Sequence, residues 1–308
     1  MEFEVLTPKK FPLNFSTVIT IGSFDGIHLG HKKLFRKTIE LAEKFSAVPV
    51  VVSFDPHPRK VLFPEAHFKF LTTLEEKIYL LHKEKIKKLV FIPFTMEVAG
   101  LSPEIFVQEY IVDGLRTKGV VVGFNFRFGK NRKGDTEVLK KYGEKYGFVV
   151  EKVDPVQINN YVVSSSLIRS LLEKGELELA NKMLGHFYFL TGKVIEGAGR
   201  GRKLGFPTAN LEISPEKLIP ASGVYAVKVY LEKKEFHGVM NIGTKPTFME
   251  KTLSVEVHIF DFCDNIYGKN IRVELIKFIR EERKFSSIEE LKKQITKDCK
   301  LARSILRR

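Results

Sequence analysis

The stretch TIGSFDGIHLGH (20–31) decides how the chain is read. It begins inside the apolar run VITI (18–21). Leu34, Phe35, Ile39, Ala42 and Phe45 follow at helical spacing, so a strand turns into a helix here. Gly22, Gly26 and Gly30 let the backbone approach a ligand closely. His28 and His31 stand at the helix start, where free N–H groups and the helix dipole attract anions. Imidazolium groups in that position suit phosphate oxygens and the charge that develops in phosphoryl or nucleotidyl transfer. The plainer alternative is two histidines that cap or pack. A metal pair is disfavoured, since no cysteine or third histidine stands nearby.

Outward from this turn the same alternation continues. VPVVVSF (48–54) is β-branched and apolar on both faces, as a buried parallel strand requires. A helix is expected from about Thr73 to Lys85, then a strand at LVFIPF (89–94). Ser102-Pro103-Glu104 opens another helix, with serine as cap, proline in the first turn and glutamate on the dipole. VVV (120–122), a helix of about 136–146 capped by Asp135, and FVVEKV (148–153) complete the series. The expectation is a doubly wound parallel sheet with its ligand at the carboxyl ends of the strands.

After Gly185 the period changes. FYFL (187–190), KVIE (193–196), VYAVKVYL (224–231), FHGVMNI (236–242), SVEVHIF (254–260) and IRVELIKFI (271–279) recur between turn residues. They predict an antiparallel all-β domain, a small barrel, closed by a helix to about Leu306 that a Ser287–Glu290 capping box opens. The boundary is placed near 183–187, giving domains of 1–184 and 185–308.

Composition sets the outer limits. A chain of 308 residues, 44% hydrophobic and 29% charged, is ordinary globular protein and long enough for two domains. No apolar run approaches the ~18–20 residues that cross a bilayer. The N-terminal MEFEVLTPKKF lacks the basic-then-apolar order of a secretory signal. Cys263 and Cys299 make no disulfide framework or zinc site on their own, so a reducing, cytoplasmic location is expected. The net charge of +14 asks for anionic partners, or else reflects a Lys/Glu-rich solvated surface such as HKEKIKK (82–88).

Other motifs fall at the expected carboxyl ends. SFDPHPRKVL (53–62) places Phe54, Pro56, His57 and Pro58 in a stiff, flat-walled loop suited to an aromatic ring, or in a simple turn. GFNFRFGKNRKGD (123–135), with Asn125 and Arg127, lacks P-loop spacing and reads as a mobile basic loop over phosphates, or a plain hairpin. SSSLIR (164–169) sets hydroxyls at a helix start with Arg169 one turn in, a pairing that triphosphate recognition uses but that ordinary caps share. In EGAGRGRKLGFPTANL (196–211) position 202 is arginine, so a GxGxxG dinucleotide motif is rejected. The segment offers backbone and guanidinium donors for phosphates. Thr208 and Asn210, two apart on an extended stretch, face one side and suit a Mg²⁺–phosphate unit. Glu256, acidic on an otherwise apolar strand, is a candidate general base or an outward-facing carboxylate.

Taken in order, these motifs closely resemble the bifunctional bacterial riboflavin kinase/FAD synthetases. GSFDGIHLGH, FDPHP, GFNFRFG and SSSLIR match the adenylyltransferase module; GRGRKLGFPTAN, GVYAV (223–227), NIGTKPTF (241–248), VEVHI (255–259) and EERKF (281–285) match the flavokinase module. Ser166 stands where threonine is common and Asn125 where many relatives have aspartate; both keep a hydrogen-bonding group. The resemblance implies a Rossmann-like nucleotidyltransferase domain followed by a six-stranded antiparallel barrel. The barrel would make FMN from riboflavin and ATP, and the first domain would make FAD and pyrophosphate from FMN and a second ATP. It implies that Gly22, Phe24, Asp25, His28, His31, Ser165, Ser166 and Arg169 bind ATP, and that Phe54, Pro56, His57, Pro58, Asn125 and Arg127 contact nucleotide or flavin. In the barrel, Gly197, Gly199, Arg200, Gly201, Arg202, Gly205, Pro207, Thr208 and Asn210 would bind ATP with Mg²⁺, Arg283 would contact flavin, and Glu256 would deprotonate the riboflavin hydroxyl. The partners are then small molecules, without nucleic acid or membrane, acting on a monomer or weak homo-oligomer. Two rivals remain at this stage: another nucleotidyltransferase, which has no reason to carry PTAN and VEVHI, and a basic nucleic-acid-binding protein, whose affinity would fall steeply with salt.

Overall fold

The computed structural model describes residues 4–66, 68–197, 199–246 and 251–307. The chain forms two compact units, divided after Ser164.

Among the described residues of the first unit, six parallel strands form one sheet: β1 (Glu4–Leu6), β2 (Thr17–Ile21), β3 (Val48–Phe54), β4 (Lys88–Ile92), β5 (Thr117–Gly123) and β6 (Val149–Val153). Their order is β1-β4-β3-β2-β5-β6. From β2 the chain lays β3 and β4 to one side and returns to lay β5 and β6 on the other. The order therefore reverses between β2 and β5, and the crevice at the carboxyl ends there is where such sheets take ligands. Every residue of β2 is buried, as an apolar run with no alternation demands. The helix Leu29–Lys44 covers the sheet with Leu34, Phe35, Leu41 and Ala42 buried, and Gly119 of β5 lets Leu41 come close. Phe45, expected on that buried face, caps the helix end and is 41% exposed. Thr73 and Glu76 close a capping box on the helix Leu74–Lys83, and Asp135 caps Thr136–Tyr146, which ends at Gly147 with φ +77°.

The 123–135 segment is pinned rather than open. Phe128 and Gly134 exchange backbone hydrogen bonds of 3.0 and 2.9 Å, and Phe128 is buried in the core. The plain hairpin is thus the form this loop takes.

The second unit holds a closed antiparallel barrel, in the order β10-β13-β12-β11-β14-β9 among the described residues. After a small hairpin of β7 (Gln157–Ile158) and β8 (Tyr161–Val162) in the first unit, its strands are β9 (Phe189–Ile195), β10 (Ala209–Ile213), β11 (Gly223–Leu231), β12 (Lys234–Pro246), β13 (Lys251–Ile259) and β14 (Asn270–Arg280). FYFL and KVIE, read as two runs, are one strand, and the sixth strand comes from the PTANL segment. Gly192 makes this possible, because a Cβ there would meet the Glu212 carbonyl of β10 at 2.6 Å. The helix Ile288–Leu306 packs Ala302 and Leu306 onto Val224, Ala226, Val239 and Phe260. Ser287 caps it by accepting the Glu290 N–H, while the Glu290 carboxylate reaches one residue further back than the expected box, to Ser286.

The helices Ser165–Glu173 and Leu177–Leu184 belong to this second unit. Asn181 donates to the Leu275 carbonyl at 3.0 Å and accepts from the Tyr188 N–H at 2.7 Å, and the Ala221 N–H donates to the Leu172 carbonyl. The contact division at 164/165 therefore lies some twenty residues ahead of the sequence boundary.

Candidate active sites

In the first unit, β2 delivers Gly22 and β5 delivers Gly123 to the two sides of the switch point. The turn between β2 and its helix is held by buried groups. Asp25, 3% exposed, accepts from the Leu71 and Thr72 N–H groups at 3.1 and 3.0 Å and from the Thr72 hydroxyl at 3.2 Å. The Gly26 N–H donates to the same hydroxyl at 3.2 Å. Phe24, at φ +47°, buries its ring between His31 and Phe35. These two residues brace the turn from inside.

His28 is the helix N-cap: its Nδ1 accepts from the His31 N–H at 3.3 Å. The two imidazoles stack with centroids 3.5 Å apart, and a Cβ on Gly30 would press on the His28 ring. His31 keeps some exposed surface while its Nδ1 is buried with no hydrogen-bond partner. Burial, then the neighbouring His28 and Lys77, holds His31 well below the usual histidine range. The folded protein thus keeps this ring neutral while an unfolded chain protonates it near pH 6.5. The unfolded state binds the extra proton, so stability is lost as pH falls below about 6.5. Thermal unfolding at pH 7.5 and 5.5 is expected to show this acid-side loss in the native chain and a smaller one in His31→Gln. Equal losses would show that His31 does not carry the linkage.

Lys77 was invisible to sequence reasoning, because nothing local marks one lysine of the helix Leu74–Lys83 as buried. It is 7% exposed, and its Nζ donates to the Ser23 carbonyl at 2.8 Å beneath the glycine-rich turn. Burial pulls its pKa down against the opposing pull of Asp25 and Asp55. Lys77→Met is expected to destabilise the first unit by about 1–3 kcal/mol, the scale of a buried acceptor left without its donor. Thermal unfolding checks this; an unchanged midpoint would make the Ser23 contact incidental.

The loop after β3 is aromatic. Phe54 meets Phe94 edge-on, and His57 caps the short helix Pro58–Leu62 by accepting from the Arg59 N–H while its ring packs on Phe68 and Phe70. Pro56 follows a cis peptide bond. Asn125 is exposed, and Arg127 is ion-paired with Asp135 at 2.8 Å. Ser165, Ser166 and Arg169 open the first helix of the second unit.

In the barrel, a cavity of about 250 Å³ is lined by Glu196, Gly197, Gly199, Arg202, Pro207, Thr208, Asn210 and Tyr267. Asn210 pairs with Glu256 across β10 and β13, and the Thr208 hydroxyl donates to Glu256 Oε2 at 3.2 Å. The glycines have distinct tasks. A Cβ on Gly197 would collide with the Asn210 amide, and one on Gly201 would meet the Phe206 carbonyl and Thr208. Gly205 turns at φ +85°. The side chain of Arg200 and residues 247–250 of the NIGTKPTF region lie outside the described residues. Arg283 donates to Gln294 at 2.7 Å and lies over Phe285. Tyr267 joined the cavity without a motif to announce it: it comes from the turn before β14, remote in sequence from PTAN.

The chain thus joins an α/β unit and a barrel unit, each with a candidate site. Residues 11–167 match the FAD synthetase family and residues 184–306 the riboflavin kinase family. A bifunctional riboflavin kinase/FMN adenylyltransferase from Bacillus subtilis is 41% identical over 288 residues, covering 92% of this chain and 90% of its own. One from Escherichia coli K12 is 37% identical, covering 93% and 91%. A solved structure described as a macrolide-efflux protein from Streptococcus pneumoniae has a TM-score of 0.90 at 32% identity, over 97% of this chain and 98% of its own. Among the described residues here, no helix is long and apolar enough to cross a membrane. The chain belongs to the bifunctional riboflavin kinase/FMN adenylyltransferase family.

Proposed function

We propose that this bifunctional enzyme uses the residues gathered at these two sites, with the kinase in the barrel and the adenylyltransferase in the parallel-sheet unit. In the barrel, Glu256 takes the proton from the terminal ribityl hydroxyl of riboflavin as its oxygen attacks the γ-phosphorus of ATP; the γ-phosphorus–oxygen bond breaks, leaving FMN and ADP. The observation that carries this reading is the hydrogen bond between Thr208, on the cavity wall, and Glu256. That contact supports Glu256 as the base beside a phosphate-binding segment.

Thr208 and Asn210 present hard oxygen donors, the kind that suit Mg²⁺. The resemblance implies that such an ion is shared with ATP oxygens. When bound it would neutralise charge on the phosphate chain. Arg202 and the backbone of Gly197, Gly199 and Gly201 supply further donors to the same anion.

In the first unit, an FMN phosphate oxygen attacks the α-phosphorus of ATP and pyrophosphate leaves. Gly22 and the His28–His31 pair cradle the phosphates, while His28 Nδ1 caps the helix. Asp25, Phe24 and Lys77 hold the turn in shape. The Phe54–Pro58 loop receives a flat ring, and Asn125 contributes a polar edge. Ser165, Ser166 and Arg169 carry hydroxyls and a guanidinium suited to ATP phosphates, and in the kinase barrel Arg283 would contact flavin. The functional boundary is set near 184, with a reducing, cytoplasmic setting and a monomer or weak homo-oligomer as the acting form.

Chromatography of flavins after incubation with riboflavin, ATP and Mg²⁺ tests the reading directly. FMN is expected first and FAD after it. FAD formed only when FMN is supplied would remove the kinase from this chain.

A further inference from the structure

Backbone pairing between β10 and β13 covers Ala209↔Val257 and Asn210↔Glu256. Thr208 lies one residue beyond that ladder, and Pro207 has no N–H with which to extend it. Its carbonyl is met instead by a side chain: His258 Nδ1 lies 2.8 Å from Pro207 O. A carbonyl only accepts, so Nδ1 carries the proton of this bond. The imidazole is fixed on both sides, edge-on to Phe206 at 5.6 Å and to Phe260 at 5.8 Å. Phe260 is in turn covered by Arg303 of the closing helix, which forms a two-pronged ion pair with Asp261. His258 and Glu256 are two apart on β13 and share a face. One strand thus carries both the carboxylate that meets Thr208 and the donor that holds the residue before it.

We propose that His258 is a positioning residue of the kinase site: its Nδ1–H anchors Pro207 and so sets the distance between Thr208 and the Glu256 carboxylate. The proposal rests on the assignment of Glu256 and Thr208 to riboflavin phosphorylation. Without the anchor, backbone pairing ties the PTAN segment to β13 only from Ala209 onward, and Thr208 is held there by its hydroxyl alone. A displacement of about 1 Å at a reacting centre costs up to ~10²-fold in rate.

The test uses the full chain with His258→Phe, His258→Asn and His258→Gln, and Glu256→Gln beside them. Phenylalanine keeps the ring between Phe206 and Phe260 but has no donor. Asparagine places an amide N–H where Nδ1 stands; glutamine carries its N–H further out. In steady-state riboflavin phosphorylation, His258→Phe is expected to lower kcat ~10–100-fold while the KM for riboflavin moves little. Asparagine should restore kcat to within ~3-fold of the native chain, and glutamine should not. Activity of His258→Phe equal to native, or equal recovery by asparagine and glutamine, overturns the proposal. Should the phenylalanine variant fail to fold, judged by thermal unfolding, the asparagine–glutamine contrast still decides. If Glu256→Gln retains full kinase activity, the assignment of the site falls; if it is inactive while His258→Phe is not, only the positioning role falls.

Discussion

Glu256→Gln is expected to lower riboflavin phosphorylation at least ~10²-fold, while FAD formation from supplied FMN persists. A primary hydroxyl is a poor nucleophile near neutral pH, and a carboxylate placed against it removes the proton as the oxygen attacks. Glutamine keeps the size of the side chain and an acceptor for the Thr208 hydroxyl, now 3.2 Å from Glu256 Oε2, so the cavity wall should stay in place. ATP binding should change little, since the cavity is built from Gly197, Arg202, Pro207, Thr208, Asn210 and their neighbours. The adenylyltransferase reaction needs no such base, because its acceptor is an ionised phosphate. Measuring FMN from riboflavin and FAD from FMN on one preparation separates the two. Near-native FMN production would return Glu256 to the status of a strand carboxylate.

Alanine at His31 is expected to depress FAD formation ~10²–10³-fold, the scale of losing one donor to developing charge, with FMN formation near native. The structure makes His28 a more demanding case, because its Nδ1 also caps the helix Leu29–Lys44. His28→Ala removes cap and ring together and should cost about 1 kcal/mol of stability besides activity. His28→Asn restores a capping oxygen but not the imidazole. If the ring acts on phosphate, the asparagine variant is stable and still deficient in FAD synthesis. If asparagine recovers full activity, the histidine is a cap and nothing more. Loss of both activities together in His31→Ala would mean misfolding of the chain rather than loss of a phosphate contact.

Much of the site was legible because its residues are local. His28, His31 and their glycines sit within ten residues, and the strand-to-helix change around them is written in hydrophobic spacing. The same holds for Thr208 and Asn210. Their approach to Glu256 was not legible from spacing, since it depends on pairing between β10 and β13 across nearly fifty residues. The resemblance of the motifs carried that step. Lys77 and Tyr267 escaped because no local signal singles out either side chain, even though the helix around Lys77 is legible; only burial or cavity lining reveals them.

By itself the sequence determined the two classes of architecture, the N-caps at Ser102, Asp135 and Ser287, and the family. Capping, turn chemistry and hydrophobic period act over a few residues, so they survive in a linear reading. Tertiary structure alone decided the three-residue edge strand β1, which pairs with β4 more than eighty residues away. It decided that FYFL and KVIE form one strand and that PTANL supplies the sixth, because a barrel must close and Gly192 leaves room for β10. It also decided that the helices of 165–184 join the barrel unit, where the Asn181 amide satisfies a strand carbonyl and the Tyr188 N–H. Those outcomes rest on which distant backbone groups find partners, and buried N–H and C=O groups cannot be left unpaired.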